Sequence, residues 1–357
     1  SVGQYGPLVH FGATMTEVLL KYIRIKIDRR VFIACGVAGA ISAGFNAPIA
    51  GVLFAHEALL RRISVGAIGP IAVTSIVAYA ANQAFFTLEP MFSLPDMPIE
   101  LQPLIPFLIF TAVFSALTSV AYMAAIRKGR ELATRSQWSM PKLLLSCVVV
   151  VGAIGVVVPD VAGLGLRQIN QMLDAQFGLG MLLVLLAGKI FVTAYCLNTG
   201  FFGGVFGPAL FVGAATGAVV AHVAILLGLA PHLSYALPVA AIAAVGGAVI
   251  GAPLTAIMIV IELTGSYAYG LSAMLCAILC SLLTLRFFGL SYFDRQLLDR
   301  GVDLRLGQEH VELSLTPISE IESGEFVRLE ADTPLQSARQ ALVSAQVTEA
   351  YVCAADD

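Results

Sequence analysis

Residues 46–57 read NAPIAGVLFAHE, and residues 251–262 read GAPLTAIMIVIE. In each stretch an Ala-Pro pair opens an apolar run, and a glutamate follows the proline at the same interval of nine residues. Each stretch also follows a Gly-Pro pair that lies about 40 residues earlier, at Pro7 and at Pro208. This repetition predicts a fold of two matched halves, each with helices interrupted at corresponding prolines.

The composition places this repeat in a membrane. Of 357 residues, 58% are hydrophobic and 12% are charged, and the mean hydropathy is +0.88. Soluble globular domains carry about 25% charged residues. The sequence therefore predicts an all-α protein that crosses a bilayer several times. The net charge of −3 gives no indication of a nucleic-acid partner.

Several apolar stretches are long enough to enter or cross a hydrocarbon core of about 30 Å. They lie at residues 31–54, 64–86, 104–126, 141–158, 181–197, 208–228, 236–261 and 270–288. Because proline interrupts some of them, we expect short, broken and tilted helices rather than a plain bundle. This membrane domain is expected to cover residues 1–308.

Basic residues in the connections set the expected orientation, since Lys and Arg collect on the cytoplasmic side. Basic connections at residues 24–30, 61–62 and 128–142 are therefore expected in the cytoplasm. The acidic connection at residues 87–103 is expected outside. These assignments predict a multi-pass protein of the cell membrane with a cytoplasmic tail.

Two glycine-rich segments come directly before apolar helices. Residues 3–7 read GQYGP, and residues 200–208 read GFFGGVFGP. Glycine permits close backbone approach, and the first amides of a helix point outward unpaired. A helix start within the membrane presents about half a positive charge. Two such starts that face one point would bind an anion weakly enough to release it, which predicts an anion-transport site between the two halves.

Together these motifs resemble the CLC family of chloride channels and transporters. The matching segments are Gly3-x-x-Gly6-Pro7, Phe45-Asn46-Ala47-Pro48, Gly204-x-Phe206-x-Pro208, Ala252-Pro253-Leu254-Thr255 with Glu262, and Tyr292. The resemblance covers residues 1–308. It implies two inverted repeats, a homodimer with one anion pathway in each subunit, and a place in the bacterial inner membrane.

The resemblance also implies the anion-binding groups. A central site would be lined by the amides of Val205 and Phe206 and the hydroxyl of Tyr292, and an outer site by the amides of Gln4, Tyr5 and Gly6. A further family signature of the Gly-Ser-Gly-Ile-Pro type would lie upstream of residue 1. We therefore expect the chain to be part of a longer protein, whose serine ligand lies outside this sequence.

Two positions depart from the family pattern. Tyr5 stands where the family carries a glutamate that blocks the pathway and shuttles protons, and Ala58 stands at the family's inner proton-transfer glutamate. A phenol stays protonated at neutral pH and does not replace a carboxylate, although it can plug the pathway or donate a hydrogen bond to an anion. We therefore predict passive transport of chloride or a similar small anion, with Tyr5 at the gate position.

Proton coupling through another residue is the alternative, with Glu57 and the adjacent His56 as the candidate relay. Consecutive helical residues point about 100° apart, so Glu57 is not expected to face where Ala58 faces. We expect a structural Glu57 that pairs with Arg61, four residues on. Glu262, at the matching position of the second repeat, is expected to be structural as well.

Other polar residues give weaker indications. Lys189 lies in an apolar stretch, where it could snorkel, pair with a carboxylate or raise the potential around the pathway. The cysteines lie mostly in apolar runs without CxxC spacing, so we expect no metal site and no cofactor. The scattered His10, His56 and His222 do not form a metalloprotease motif, and we expect no enzymatic activity.

Residues 309–357 are richer in acidic residues and are expected to form a separate tail that begins with a linker. A plain linker over the whole tail is the alternative. The pattern predicts a strand at residues 326–329, an amphipathic helix at 335–345 and a strand at 350–353. This order resembles the first half of a CBS domain, so we expect a partial α/β unit. Half a module buries too little to support nucleotide binding.

Overall fold

The computed structural model describes residues 1–22, 28–86, 91–92, 94, 100–302, 327–330, 332–345 and 350–353. The chain divides into two compact units, Ser1–Gln296 and Leu297–Asp357. The expected connections at 24–30 and 87–103 fall largely outside the described residues, as do residues 309–326 of the expected tail. The orientation that those connections suggest stays a prediction.

Helices account for nearly all of the described part of the first unit. They are α1 (Tyr5–Leu20), α2 (Arg29–Phe45), α3 (Pro48–Phe54), α4 (Val65–Phe85), α5 (Leu101–Arg135), α6 (Met140–Val157), α7 (Leu166–Leu173), α8 (Leu179–Asn198), α9 (Phe206–Leu226), α10 (Ala236–Ile250), α11 (Pro253–Thr264), α12 (Tyr267–Phe288) and α13 (Tyr292–Leu298). A π-helical turn, Ala55–Leu60, continues α3. Helices α9 and α10 form the most deeply buried part of the bundle.

Seven helical segments among the described residues are long and apolar enough to cross a membrane. They are Val65–Phe85, Leu101–Arg135, Met140–Val157, Leu179–Asn198, Phe206–Leu226, Pro231–Ile250 and Tyr267–Leu298. Two shorter apolar helices, Pro48–Leu60 and Pro253–Thr264, complete the broken stretches. This architecture confirms the predicted all-α, multi-pass membrane fold with interrupted helices.

The two predicted breaks have the same backbone geometry. Asn46 ends α2 and Gly251 ends α10, with φ of 56° and 74° in the left-handed region. The residue after each of them donates its amide to the carbonyl five residues earlier, at 3.2 and 3.1 Å. The next residue in each case is a proline, which has no amide hydrogen to continue the helical hydrogen bonds and starts the following helix. The internal repeat therefore specifies the same local structure twice.

The glutamate of each repeat caps the broken helix of the other. Glu57 accepts hydrogen bonds from the amides of Leu254 and Thr255, at 3.0 and 2.7 Å, and from the Thr255 hydroxyl at 2.7 Å. Glu262 accepts hydrogen bonds from the amides of Ile49 and its successor at the start of α3, at 2.8 and 2.7 Å. Each carboxylate thus satisfies the unpaired amides at the positive end of a membrane-embedded helix.

These hydrogen bonds give both glutamates the structural role that was predicted for them. The prediction that Glu57 pairs with Arg61 is wrong. Arg61 follows the π-helical turn with a φ of 53°, so the helical register that would bring it beside Glu57 ends at Leu60. The Arg61 guanidinium instead forms an ion pair with Asp294. Glu57 is directed toward α11, on the other side of the repeat interface.

The second unit has a βαβ arrangement in its described residues. Strand β1 (Val327–Glu330) pairs in parallel with β2 (Ala350–Cys353), and α14 (Leu335–Ala345) connects them. The register places Val327 opposite Ala350. The order of these elements is the one predicted for the tail, while the resemblance to a CBS domain stays a prediction.

We expect Glu57→Gln and Glu262→Gln each to lower the free energy of unfolding by about 1 kcal/mol, because a half-buried charged acceptor of helix amides is lost. Thermal unfolding of the complete protein in detergent measures the change. Glu17→Gln is the matched control, since its carboxylate is exposed and pairs with Arg29 at the surface. A melting temperature unchanged from wild type in either variant would contradict the capping role.

Candidate functional site

The starts of α1 and α9 are held together by backbone hydrogen bonds. The Gly3 amide donates to the Gly204 carbonyl at 2.7 Å, and the Gly204 amide donates to the Gly3 carbonyl at 2.7 Å. The two residues form an isolated antiparallel bridge, each just before its helix begins. This reciprocal pair fixes two helix starts from different repeats beside each other.

The contact between the two starts is too close for any side chain. A Cβ on Gly3 would lie 2.8 Å from the Gly204 carbonyl oxygen, and a Cβ on Gly204 would lie 2.8 Å from the Gly6 amide nitrogen. Real Cβ atoms do not approach backbone atoms this closely, so the glycines are required by the approach itself.

The amides at both helix starts are uncapped among the described residues. Neither helix has a side-chain N-cap. Among the described residues, no protein acceptor lies on the amides of Tyr5, Gly6, Val205 or Phe206. Tyr5, Val205 and Phe206 are 3–6% exposed. Buried, unpaired amides at the positive ends of two helices suit an anion or its hydration water.

An aromatic cluster closes one side of this region. The Tyr5 ring stacks on Phe45 with a centroid distance of 3.8 Å, and both rings contact Phe206 edge-on, at 6.1 and 5.4 Å. The Tyr5 hydroxyl lies 3.8 Å from the sulfur of Met91. The predicted gate residue is therefore packed between the end of α2 and the start of α9.

A second buried cluster also includes a residue at the start of α9. Val205 belongs to a buried group that includes Tyr122, and Tyr292 at the start of α13 packs against this group. The structure thus places Tyr5 against Phe206 at the start of α9, and Tyr292 against the buried cluster that contains Val205. Gln4, which precedes α1, is exposed, and the assignment of these groups as anion ligands stays a prediction.

The residues predicted for proton handling do not converge. Ala58 packs against the main core, whereas Glu57 is engaged by the start of α11. His56 is 4% exposed, and its Nδ1 lies 2.9 Å from the Val52 carbonyl oxygen. Its Nε2 is buried without a hydrogen-bond partner in the described part of the chain.

Lys189 is fully buried, so it does not snorkel. Its Nζ donates to the carbonyls of Val161 and Gly163 at 3.2 and 2.8 Å and lies 4.5 Å from the centroid of the Phe211 ring. No ion pair joins Lys189 to any carboxylate among the described residues. These contacts hold the Lys189 ammonium beside α9, the helix that carries Phe211. The third predicted role, raising the potential around the pathway, stays a prediction.

Tyr122 contacts the candidate site, although none of the sequence motifs includes it. Its hydroxyl, on the fully buried part of α5, donates to the Val205 carbonyl at 2.9 Å. A tyrosine within an apolar spanning stretch needs a hydrogen-bond partner for its hydroxyl. The sequence therefore indicates that Tyr122 makes a buried hydrogen bond. The sequence could not name the partner, which lies 83 residues away.

Residues 1–285 match the family described as voltage gated chloride channel. The chain belongs to this family. It is 28% identical over 299 residues to the H(+)/Cl(−) exchange transporter ClcA of Vibrio vulnificus, covering 78% of this chain and 63% of that relative. It is 31% identical over 279 residues to the transporter of the same name of Vibrio cholerae, covering 74% of this chain and 59% of that relative.

This chain spans about three fifths of the length of these two curated relatives. Its fold is similar to the X-ray structure of a slow cyanobacterial Cl−/H+ antiporter, with a TM-score of 0.74 and 20% identity. That alignment covers 86% of this chain and 73% of the antiporter. The fold of the CLC family is therefore present over most of this chain.

We expect Gly204→Ala to lower the free energy of unfolding by about 1–3 kcal/mol, because the new methyl group would separate the two helix starts. Thermal unfolding in detergent measures this change. Gly152→Ala is the matched control, since a Cβ there meets nothing within 4 Å. Equal melting temperatures for the two variants would show that the close approach is not required.

Proposed function

We propose that this chain is part of a protein that transports chloride or a similar small anion across a membrane. The observation that carries the proposal is the bridge between Gly3 and Gly204, which brings together two helix starts whose buried amides have no protein acceptor among the described residues. In a bilayer such amides are costly unless a ligand or water satisfies them. Partial charges from amides bind an anion without trapping it, as conduction requires.

The proposed ligands are the groups at these two helix starts. A central site would use the amides of Val205 and Phe206 with the Tyr292 hydroxyl, and an outer site would use the amides of Gln4, Tyr5 and Gly6. This set contains no full charge, so affinity would come from hydrogen bonds and helix dipoles.

Transport by this chain is proposed to be passive and uncoupled from protons. The gate position holds the phenol of Tyr5, and the inner position holds the methyl group of Ala58. Glu57, the carboxylate nearest in sequence, already accepts three hydrogen bonds at the start of α11. Protonating it would remove a helix cap, which makes it a poor relay.

A proton-coupled antiporter is the second candidate. The two Vibrio relatives are named H(+)/Cl(−) exchange transporters, and the similar solved structure is that of a Cl−/H+ antiporter. The buried, unpartnered Nε2 of His56 is the feature of this chain that favours it. In that case His56 would carry the proton without Glu57.

The proposed setting is a homodimer in the bacterial inner membrane, with the tail in the cytoplasm and each subunit acting as a transporter rather than an enzyme. Helix α4 exposes apolar side chains along its length, including Val65, Val73 and Ile76, and these suit contact with lipid or with a second subunit. The tail is not proposed to bind a nucleotide.

The test is chloride efflux from liposomes that hold the complete protein, with external pH recorded under a clamped voltage. We expect chloride to move without stoichiometric proton movement, because both carboxylate positions are substituted. Proton counter-movement that His56→Ala abolishes would establish the second candidate instead. No chloride movement under any voltage would refute anion transport.

We expect Tyr5→Ala to raise the chloride flux roughly ten-fold, which corresponds to lowering the barrier by about 1.4 kcal/mol. The reason is that this change removes the ring packed between Phe45 and Phe206. Tyr5→Phe is the control, because it keeps the ring and should leave the flux near that of wild type. A Tyr5→Ala flux at or below the wild-type value would show that the ring does not limit transport.

A further inference from the structure

We propose that Tyr122 is a positioning residue of the anion site, which holds and polarises the peptide group whose amide belongs to Phe206. This inference rests on the proposed function, because it assigns Tyr122 a role toward an anion at the start of α9. Tyr122 does not itself touch the anion in this account. It acts through the backbone of Val205 and Phe206.

The contact that carries the inference is buried and specific. Tyr122 has no exposed surface, and its hydroxyl donates to the Val205 carbonyl at 2.9 Å. Tyr122 belongs to a buried hydrophobic cluster that includes Met123, Val245 and Val249. A hydroxyl that is fully buried in such a cluster keeps its hydrogen bond, because losing it would leave a buried polar group unpaired.

The carbonyl of Val205 and the amide of Phe206 belong to the same planar peptide group. In a trans peptide the two point in opposite directions, so a donor that holds the oxygen from one side aims the N–H to the other. The same oxygen also accepts the amide of Ala209, at 3.1 Å, in the first turn of α9. Two donors on one carbonyl fix the plane of the peptide group.

The hydrogen bond from Tyr122 also changes the strength of the amide as a donor. A carbonyl that accepts hydrogen bonds draws electron density away from the nitrogen of its own peptide, and chains of hydrogen bonds strengthen one another in a low-dielectric interior. The Phe206 amide is therefore a better anion donor with the Tyr122 hydroxyl in place. The effect needs no charged group near the anion.

Tyr122 also belongs to the cluster against which Tyr292 packs. Val205 and Tyr292, which both belong to the proposed central site, thus contact the same buried cluster as Tyr122. A role confined to packing would require the ring of Tyr122 and not its hydroxyl. The hydroxyl is therefore the atom to remove.

The test compares chloride binding by wild type, Tyr122→Phe and Tyr195→Phe, using calorimetric titration of the complete protein in chloride-free buffer. Tyr195 is the matched control, because its hydroxyl also makes one hydrogen bond, to Ser146 at 3.1 Å, between α8 and α6. We expect Tyr122→Phe to weaken chloride binding about two-fold, because the Phe206 amide loses part of its donor strength but keeps its own contact with the anion, and Tyr195→Phe to bind as wild type. Melting temperatures without chloride report any general loss of stability.

The outcomes separate the inference from the function on which it rests. Wild-type affinity in Tyr122→Phe, with or without a lower melting temperature, would overturn the positioning role while leaving anion binding intact. Equal losses of affinity in both variants would also overturn it. If wild type binds no chloride, the proposed function is wrong and the inference falls with it.

Discussion

The reciprocal hydrogen bonds between Gly3 and Gly204 are the constraint on which the proposed site depends. They hold two helix starts side by side in a bundle where every unpaired amide is costly. Any residue other than glycine would separate the starts, since a Cβ at either position meets backbone atoms at 2.8 Å. Once the starts are fixed, their free amides define a small region of positive potential, which an anion can occupy without a cation to hold it.

A second set of contacts joins the two repeats. Glu57 caps a helix of the second repeat and Glu262 caps a helix of the first. Each repeat therefore supplies hydrogen-bond acceptors for the helix start of the other. This use of the carboxylates has a functional consequence, because a glutamate that caps a helix is not free to carry protons. In the proposed mechanism the ring of Tyr5 closes the site, and its contacts with Phe45 and Phe206 do not titrate.

The local features were predictable from sequence because their causes are local. The Ala-Pro pairs end one helix and start the next, and the glycines before Pro7 and Pro208 mark a close approach of backbones. Long-range partners were not predictable in this way. The i,i+4 rule assigned Arg61 to Glu57, yet a π-helical turn breaks that register, and the true partner lies 198 residues away at Thr255.

Location of a bound anion tests the central claim most directly. Crystals of the complete protein grown with bromide in place of chloride would show the anion by anomalous scattering. The account predicts a bromide peak within hydrogen-bonding distance of the amides of Val205 and Phe206 and near the Tyr292 hydroxyl. Bromide bound elsewhere in the pathway, with these amides in contact only with water or protein, would contradict it.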